Sequence, residues 1–346
     1  MNLLENVQLG PKTTLELGGA ARYFVKATDD ATVVEALRWS RARGLPARVL
    51  GGGSNLVIAD GDFEGLVIEM AQQGVRVEGG RVSAAAGERW DDLVALTVQR
   101  ELAGLECLSG IPGRVGATPI QNVGAYGHEI SHTLRMVRVL DRATLQEQTL
   151  APDDCELSYR NSRFKREPDR FVVLEVSFEL EPGGAPSIRY AELQRAVAEL
   201  ERPDIAAARR LVIELRRGKS MVLEPDNPNR RSAGSFFTNP FVTRELADRL
   251  IAASDERVPH WPTDDGRVKL AAGWLIERAG MRKGTRRGSV GISSAHALAL
   301  IHHGGGTTSE LLALAAEVRA AVLDRFGVEL EREPVLWARS EEESLS

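Results

Sequence analysis

Apolar and polar residues recur along this chain with two periods, and these periods predict a mixture of helices and strands. Helical spacing of apolar residues predicts helices over 30–44, 90–101, 190–200, 204–217, 241–252, 271–279 and 308–326. Alternation and short apolar runs predict strands at 47–50, 56–58, 135–140, 171–180 and 328–337, several short ones within 63–87, and two extended pieces within 13–27. The strands 135–140 and 171–180 are expected in one sheet, and 296–303 is a further apolar piece.

Two of the predicted helices have apolar stripes that we assign to the core. The helix 308–326 has the longer stripe, formed by Leu311, Leu314, Ala315, Val318 and Val322. The helix 90–101 has Leu93, Leu96 and Val98 at core spacing.

The predicted last strand, 328–337, contains three carboxylates. A solvated strand edge accounts for Glu329 and Glu331, whereas Glu333 precedes a proline that should end regular pairing and is better placed to point inward. The tail from Ser340 to Ser346 is predicted to be disordered.

Length and charge narrow the class of protein. With 346 residues, of which 43% are hydrophobic and 27% charged, the chain is long enough for two or three domains. A net charge of -5 and a pI near 5.8 argue against a general nucleic-acid or acidic-membrane surface. No apolar run approaches membrane-spanning length and the N-terminus lacks a signal pattern, so we expect a cytoplasmic protein.

Cysteine and histidine spacing predicts no metal centre. Cys107 and Cys155 show no C-x-x-C or Cys/His spacing, so buried free thiols are expected. His302 and His303 have no carboxylate or cysteine beside them at ligand spacing, so neither is expected to bind a metal.

The segment Gly110–Gly127 contains five glycines and two prolines. Glycine leaves the backbone free to adopt positive φ and to approach a ligand, and consecutive amides can form a nest for a diphosphate. An ordinary surface loop has a similar composition, but apolar residues spread through the segment favour partial burial. The spacing G-x-x-G-x-x-G-A excludes a Rossmann fingerprint.

A second glycine-rich stretch, Gly51-Gly-Gly-Ser-Asn55, lies between two predicted strands. Its amides could donate to a phosphate with help from Ser54 and Asn55, although a plain tight turn is the alternative. The stretch lacks the Gly-Lys-Ser/Thr of a Walker loop.

Three further segments have residues suited to chemistry. Ser158–Lys165 alternates aromatic and cationic residues, which suits either carboxylate binding or a solvated turn. The cations of Arg216–Lys219 suit a diphosphate or a helix C-terminus. Ser235 precedes two phenylalanines, with no G-x-S-x-G elbow around it.

Taken together, these motifs resemble the UDP-N-acetylenolpyruvoylglucosamine reductase family. The resemblance runs from about Thr13 to Trp337 and depends on the order and spacing of seven motifs. They are Gly51-Gly-Gly-Ser-Asn55, Gly110-Ile-Pro-Gly113, Gln121-Asn-Val-Gly-Ala-Tyr-Gly127, Tyr159-Arg-Asn-Ser162, Ala233-Gly-Ser-Phe-Phe237, Gly273-Trp-Leu-Ile-Glu277 and Leu330-Glu-Arg-Glu333. The chain departs from many relatives at Thr238, where they have lysine, and at Arg332-Glu-Pro, which leaves Glu331 as an alternative to Glu333.

The resemblance implies an α+β, FAD-binding fold of the vanillyl-alcohol-oxidase (PCMH) type with a separate substrate-binding α+β domain. Two FAD-binding subdomains are expected, at 1–70 with 321–346 and at 71–220, and the substrate-binding domain at 221–320. The polar connection Glu224–Arg231 is the expected domain boundary.

The resemblance also implies the site residues. The expected catalytic residues are Arg160, Ser235 and Glu333. The expected FAD-binding residues are Gly51, Gly52, Gly53, Ser54, Asn55, Gly110, Pro112, Gly113, Val115, Gly116, Ala117, Gln121, Asn122, Gly124 and Tyr126. The expected substrate-binding residues are Tyr159, Tyr190, Lys219 and Asn239.

The implied reaction is the NADPH-dependent, FAD-mediated reduction of UDP-N-acetylglucosamine enolpyruvate to UDP-N-acetylmuramate, a step of peptidoglycan synthesis, by a monomer. Two alternatives remain at this point: another FAD-dependent oxidoreductase of the same fold, and a non-catalytic nucleotide-sugar-binding protein.

Overall fold

A computed structural model describes residues 1–198 and 203–338. The predicted helix end at Leu200 and the predicted disorder of Ser340 to Ser346 lie outside these ranges. By its internal contacts the chain divides into two compact units. Unit 1 comprises residues 1–7, 21–53 and 63–223, and unit 2 comprises residues 8–20, 54–62 and 224–346. The three-domain subdivision drawn from the family resemblance stays a prediction.

The helices follow the predicted helical periods closely. They are α1 (Asp30–Arg41), α2 (Trp90–Gln99), α3 (Arg163–Arg166), α4 (Ala191–Val197), α5 (Ile205–Gly218), α6 (Arg244–Ala252), α7 (Ala272–Arg278) and α8 (Thr308–Phe326). The bounds predicted for α8 are confirmed, because Thr307 and Glu310 form a capping box and Gly327 ends the helix with a φ of 64°. All five residues of its predicted stripe are buried.

Most strands are short, and they are numbered in chain order. The first eleven are β1 (Leu3–Gln8), β2 (Ala20–Ala27), β3 (Ala47–Leu50), β4 (Leu56–Ile58), β5 (Phe63–Met70), β6 (Val75–Glu78), β7 (Arg81–Ala85), β8 (Leu102–Ala103), β9 (Gly124–Ala125), β10 (His128–Glu129) and β11 (Leu134–Asp141). The others are β12 (Glu147–Leu150), β13 (Phe171–Glu179), β14 (Glu181–Pro182), β15 (Phe241–Val242), β16 (His260–Pro262), β17 (Val268–Leu270), β18 (Arg286–Arg287), β19 (Val290–Ile292), β20 (Leu300–His302) and β21 (Val335–Trp337).

Unit 1 is built around two larger sheets. One has the order β1-β2-β5-β3, in which β5 pairs in parallel with β2 and β3. The other is antiparallel with the order β12-β11-β13-β7-β6, so the prediction that 135–140 and 171–180 share a sheet is confirmed. Seven consecutive residues of β13, from Val172 to Phe178, are buried, as expected of a central strand covered on both faces.

Unit 2 contains small sheets packed against α8. Two are three-stranded, with the orders β15-β17-β16 and β18-β19-β20, and β21 pairs in parallel with β4. The core joins Phe236 and Phe237 to the buried stripe of α8 and to Leu275 and Ile276 of α7. This core anchors the backbone on both sides of the Ser235 turn.

Four predicted features differ from the structure. The helix predicted to begin at Phe241 begins at Arg244, because Phe241 and Val242 pair with β17 and Thr243 caps the helix. The stretch 13–27 contains one strand, β2, and no second extended piece. Only 335–337 of the strand predicted at 328–337 is a strand, so the proline at 334 precedes the regular pairing and does not end it.

The fourth difference concerns the buried face of α2. Val94 and Thr97 are buried together with Leu93, whereas Leu96 and Val98 are only half-buried. Thr97 satisfies its hydroxyl by donating to the Val94 carbonyl at 2.9 Å, which lets a polar residue occupy a core position.

Among the described residues, no helix is both long and apolar enough to cross a membrane.

Candidate active site

Two glycine-rich segments pack directly against each other in unit 1. A Cβ atom at Gly52 would lie 2.7 Å from the Cα of Gly113, and one at Gly116 would lie 2.5 Å from the Cβ of Ala86. Real side chains do not approach so closely, so neither position accepts one without displacing the backbone. Gly53 has a φ of 61°, which also favours glycine. The structure therefore brings together two of the segments predicted to bind the cofactor.

Backbone hydrogen bonds determine which amides of these segments can serve a ligand. The amides of Val115, Gly116 and Ala117 donate within the fold at 2.9, 3.0 and 3.1 Å. The Gly110 amide donates to Asp91 Oδ1 at 2.6 Å. Each amide has one hydrogen, so these four do not form the expected anion nest. Their segment shapes the site by close packing.

The Gly51–Asn55 stretch differs in this respect. The amides of Gly52 and Gly53 have no hydrogen-bond acceptor among the residues that the structure describes. Ser54 and Asn55 belong to unit 2, where the Asn55 carbonyl accepts from the Val335 amide at 3.0 Å. The Gly52 and Gly53 amides are therefore available to a phosphate, and the predicted contacts of Ser54 and Asn55 stay predictions.

Arg160 lies in a turn held by several hydrogen bonds. Its φ is 53°, an uncommon conformation for a residue with a side chain. Its Nη2 donates to the Gly124 carbonyl at 2.7 Å, and its Cζ lies 5.2 Å from the centre of the Tyr159 ring. Lys165 Nζ donates to the Arg160 carbonyl at 3.1 Å. Arg160 was predicted from the sequence, but Lys165, which lies five residues later in the same cationic segment, was missed.

Asn122 and Gly124 organise this turn. Asn122 is buried, donates through Nδ2 to Glu129 Oε2 at 2.6 Å and to the Ser158 carbonyl at 3.2 Å, and accepts from the Ser131 amide at 3.2 Å. These bonds hold its side chain within the turn, and its predicted contact with FAD stays a prediction. A Cβ at Gly124 would lie 2.8 Å from both the His128 carbonyl oxygen and Glu129 Cγ and 3.2 Å from Arg160 Nη1, so glycine is required chiefly by the paired strand β10 and also leaves room for the arginine. Gln121 is half-buried beside them.

Tyr126 lies with two residues predicted to bind substrate. Its ring and that of Tyr190 meet edge to face, with 5.4 Å between their centres. Lys219 Nζ lies 5.7 Å from the centre of Tyr126 and 5.9 Å from that of Tyr190, and is bonded to Glu192 Oε2 at 2.6 Å. Burial raises the pKa of Tyr126 to about 12, which keeps the phenol protonated. Tyr126 belongs to this cluster, and its predicted contact with FAD stays a prediction.

Asp91 is a second residue that sequence reasoning missed. It binds Arg209 through two contacts of 2.7 and 2.9 Å and also accepts from Gly110. Burial acts to raise the pKa of Asp91, but the bonds from Arg209 and Gly110 outweigh it and hold that pKa below its usual value. Asp91 thereby fixes the start of the Gly110–Gly127 segment. Its position in the first turn of α2 gave no signal beyond ordinary helix preference.

Arg216 lies beside Gly110 and is largely enclosed. Its Nη2 donates to the Met221 carbonyl at 2.7 Å, and its Nε is buried with no partner among the described residues. Burial lowers the pKa of Arg216. The cations of the Arg216–Lys219 segment therefore have different surroundings. Arg216 is directed inward, and Lys219 is directed towards the tyrosine pair.

In unit 2, Ser235 and Glu333 lie on segments that pair with each other. The Glu333 amide donates to the Phe236 carbonyl, and the Thr238 amide donates to the Glu331 carbonyl, each at 3.0 Å. These bonds flank an antiparallel bridge between residues 237 and 332. Glu333 is half-buried and Glu331 exposed, which favours Glu333 as the inward carboxylate.

Other residues brace the Ser235 turn from the opposite side. Phe236 donates its amide to the Leu298 carbonyl at 2.7 Å. The Thr14 hydroxyl donates to the Ser232 carbonyl at 2.5 Å, while Glu16 pairs with both Arg230 and Arg231. The turn is therefore fixed by segments distant in sequence.

Asn239 and His302 have structural bonds. Asn239 Oδ1 accepts from the Ala272 amide at 2.9 Å and so caps α7. His302 lies within 3.2 Å of the Leu15 carbonyl through Nδ1 and accepts from the Gly306 amide at 3.0 Å. Both cysteines are buried free thiols, as predicted, and burial raises the pKa of each to about 12.

Comparison with known proteins gives two domain matches. Residues 21–145 match a family model described as an FAD binding domain, and residues 226–337 match one described as the UDP-N-acetylenolpyruvoylglucosamine reductase C-terminal domain. Together with the closely packed glycines, the first match identifies the chain as an FAD-binding protein. The α+β FAD-binding fold implied by the sequence is confirmed.

Full-length relatives define the family. UDP-N-acetylenolpyruvoylglucosamine reductase of Streptomyces coelicolor is 49% identical, with 96% of this chain and 89% of the relative covered. The Thermobifida fusca enzyme of the same name is 47% identical, with 96% and 97% covered. The chain belongs to the UDP-N-acetylenolpyruvoylglucosamine reductase family. The crystal structure of the Thermus caldophilus enzyme has the same fold, with a TM-score of 0.68 and 24% identity over 97% of this chain and 98% of that one.

Proposed function

We propose that this chain reduces UDP-N-acetylglucosamine enolpyruvate to UDP-N-acetylmuramate in peptidoglycan synthesis, with NADPH as the electron donor. The observation that carries the proposal is 49% identity to the Streptomyces coelicolor reductase across 96% of the chain. The closely packed glycines of unit 1 fit a cofactor diphosphate. FAD, when bound, relays hydride from NADPH to the enol ether of the substrate.

Arg160 stabilises the charge that the reaction creates. Reduction of an enol ether next to a carboxylate builds negative charge on the α-carbon and that carboxylate, and a fixed cation lowers the barrier. The guanidinium is planar and donates two parallel bonds to a carboxylate, which an ammonium cannot do. Its bond to Gly124 and the neighbouring Tyr159 ring support a pre-organised orientation.

Ser235 donates the proton that completes the reduction. A hydroxyl is a weak acid, but an enolate is a strong base and can take its proton at close range. The fixed backbone around Ser235 supports this role. Glu333 acts with Ser235 in this step, and the backbone bond between Glu333 and Phe236 supports their pairing.

Tyr159, Tyr190, Lys219 and Asn239 bind the rest of the substrate. Lys219 provides a cation for the diphosphate, with the two tyrosine rings around its ammonium group. The capping bond of Asn239 uses its oxygen and leaves the side-chain NH2 group as a donor. The chain acts as a cytoplasmic monomer with three domains, as the family resemblance implies.

A spectroscopic titration tests the function. The purified protein should be yellow, and NADPH should bleach it under anaerobic conditions. UDP-N-acetylglucosamine enolpyruvate should then restore the colour and yield UDP-N-acetylmuramate. A bleached enzyme that the enolpyruvyl substrate cannot reoxidise would point to a different flavin oxidoreductase, and a colourless protein to a non-catalytic nucleotide-sugar-binding protein.

A further inference from the structure

Arg114 lies inside the Gly110–Gly127 segment, at the point where that segment meets the Gly51–Gly53 loop. A Cβ atom at Gly51 would lie 3.8 Å from the Cβ of Arg114 and 3.9 Å from its Cγ. A Cβ at Gly52 would lie 3.4 Å from the Arg114 amide nitrogen. The stem of this arginine therefore starts beside the loop whose amides remain available.

The positive charge of Arg114 is not neutralised within the fold. Its Nη1 donates to the Gly87 carbonyl at 3.0 Å, and no carboxylate in the described parts of the chain forms an ion pair with it. Acids on and near the segment that pairs with Arg114 are engaged elsewhere, since Asp91 binds Arg209 and Glu88 accepts from the Gly74 amide at 2.6 Å. The acid nearest in sequence, Glu106, accepts from the Gly104 and Ser187 amides. A half-buried arginine without a counter-ion is costly unless an anion joins it.

The neighbouring amides can donate to such an anion but cannot balance its charge, because an amide is neutral. The amides of Val115, Gly116 and Ala117 donate inside the fold, and those of Gly113 and Arg114 have no acceptor among the described residues. A diphosphate bound where the two glycine-rich segments meet would accept from the Gly52 and Gly53 amides. Its negative charge would still need a cation, which the Gly110–Gly127 segment can provide. Arg114 is the cation in that segment.

We propose that the Arg114 guanidinium binds the diphosphate of FAD. This role rests on the proposed flavin function and adds a cofactor-binding residue to it. One nitrogen stays on the Gly87 carbonyl and fixes the side chain, while the remaining N–H groups face the phosphate oxygens. Arginine suits this task because its fork donates two bonds to phosphate.

Flavin titrations of the apoprotein test the proposal without requiring turnover. Arg114→Gln removes the charge and keeps the polar stem, and it should weaken FAD binding about 10-fold to 100-fold, as expected for loss of a charge-assisted hydrogen bond. Riboflavin lacks the diphosphate, so its dissociation constant should not change. Arg114→Lys should recover part of the FAD affinity, and added salt should weaken FAD binding more in the wild type than in Arg114→Gln.

Arg89→Gln is the matched control, because Arg89 bridges to Arg114 in the backbone but is exposed and lies 3.3 Å from Asp92. It should bind FAD like the wild type. Equal FAD affinities in wild type and Arg114→Gln, or equal losses for FAD and riboflavin, would overturn the role of Arg114 while the flavin function stands. A wild-type protein that binds no FAD would overturn both.

Discussion

Lys165 allows a direct test of how the backbone of Arg160 is held. The left-handed conformation of Arg160 costs about 1–3 kcal/mol, which the surroundings must offset. A hydrogen bond from a charged donor contributes about 1.5–3 kcal/mol, and Lys165 makes such a bond to the Arg160 carbonyl at 3.1 Å. The two magnitudes are comparable, so Lys165→Met should leave the turn only partly in its native conformation.

The expected loss is moderate because other bonds hold the same turn. Ser158 and Asn161 exchange backbone hydrogen bonds of 3.0 and 3.1 Å, and Asn122 holds the Ser158 carbonyl. We therefore expect the lower part of the range, or about a 10-fold loss of rate. Lys165→Arg should recover much of it, since an arginine keeps a charged donor on a long stem.

The assay is anaerobic stopped-flow in two halves. Reduction of the flavin by NADPH should be unchanged in Lys165→Met, whereas reoxidation by the enolpyruvyl substrate should slow. Arg166→Met is the matched control, because Arg166 is the next residue and its exposed side chain pairs with Glu156. Wild-type reoxidation in Lys165→Met, or an equal loss in both half-reactions, would refute the reasoning.

Three other substitutions have expected outcomes. Gly52→Ala places a Cβ 2.7 Å from Gly113 and should cost about 1–3 kcal/mol of overpacking, seen as roughly 10-fold weaker FAD binding in a fluorescence titration; unchanged binding would contradict the close packing. Ser235→Ala should keep reduction by NADPH but slow substrate turnover about 100-fold to 10,000-fold in stopped-flow, and a wild-type rate would reduce the serine to packing. Asp91→Asn should destabilise the fold by about 1–3 kcal/mol in denaturant unfolding. Because the pKa of Asp91 is lowered in the folded protein, its contribution to the free energy of unfolding is full above about pH 4 and is lost as the pH falls through the folded pKa. The difference in unfolding free energy between wild type and Asp91→Asn should therefore shrink in acid, and a difference that grows in acid would refute this role.

Features that depend on local signals could be predicted from the sequence. Asp29 accepts from the Thr32 amide at 2.7 Å and starts α1 where predicted, and the capping box at Thr307 does the same for α8. Such caps act within one turn of the helix, so neighbouring residues suffice to identify them. The Gly51–Asn55 turn between β3 and β4 is local in the same way.

Features that depend on distant partners could not be predicted. The Gly110–Ala117 amides looked available because nothing in the segment shows that Glu88 and Ala86 would accept from it. Phe241 looked helical until pairing with Lys269 of β17 made it a strand residue. Tertiary pairing decides both cases, and the periodicity of one segment cannot report it.

The backbone bond between Glu333 and Phe236 makes register the determinant of which carboxylate lies opposite Phe236, next to the Ser235 turn. Side chains alternate along an extended segment, so a shift of one residue would present Arg332 or Pro334 in place of Glu333. A shift of two residues would instead present Glu331, which has the same chemistry. The chain thus has a second glutamate two residues before Glu333, and a two-residue insertion before residue 331, which places Glu331 where Glu333 lies, should be tolerated better than a one-residue insertion.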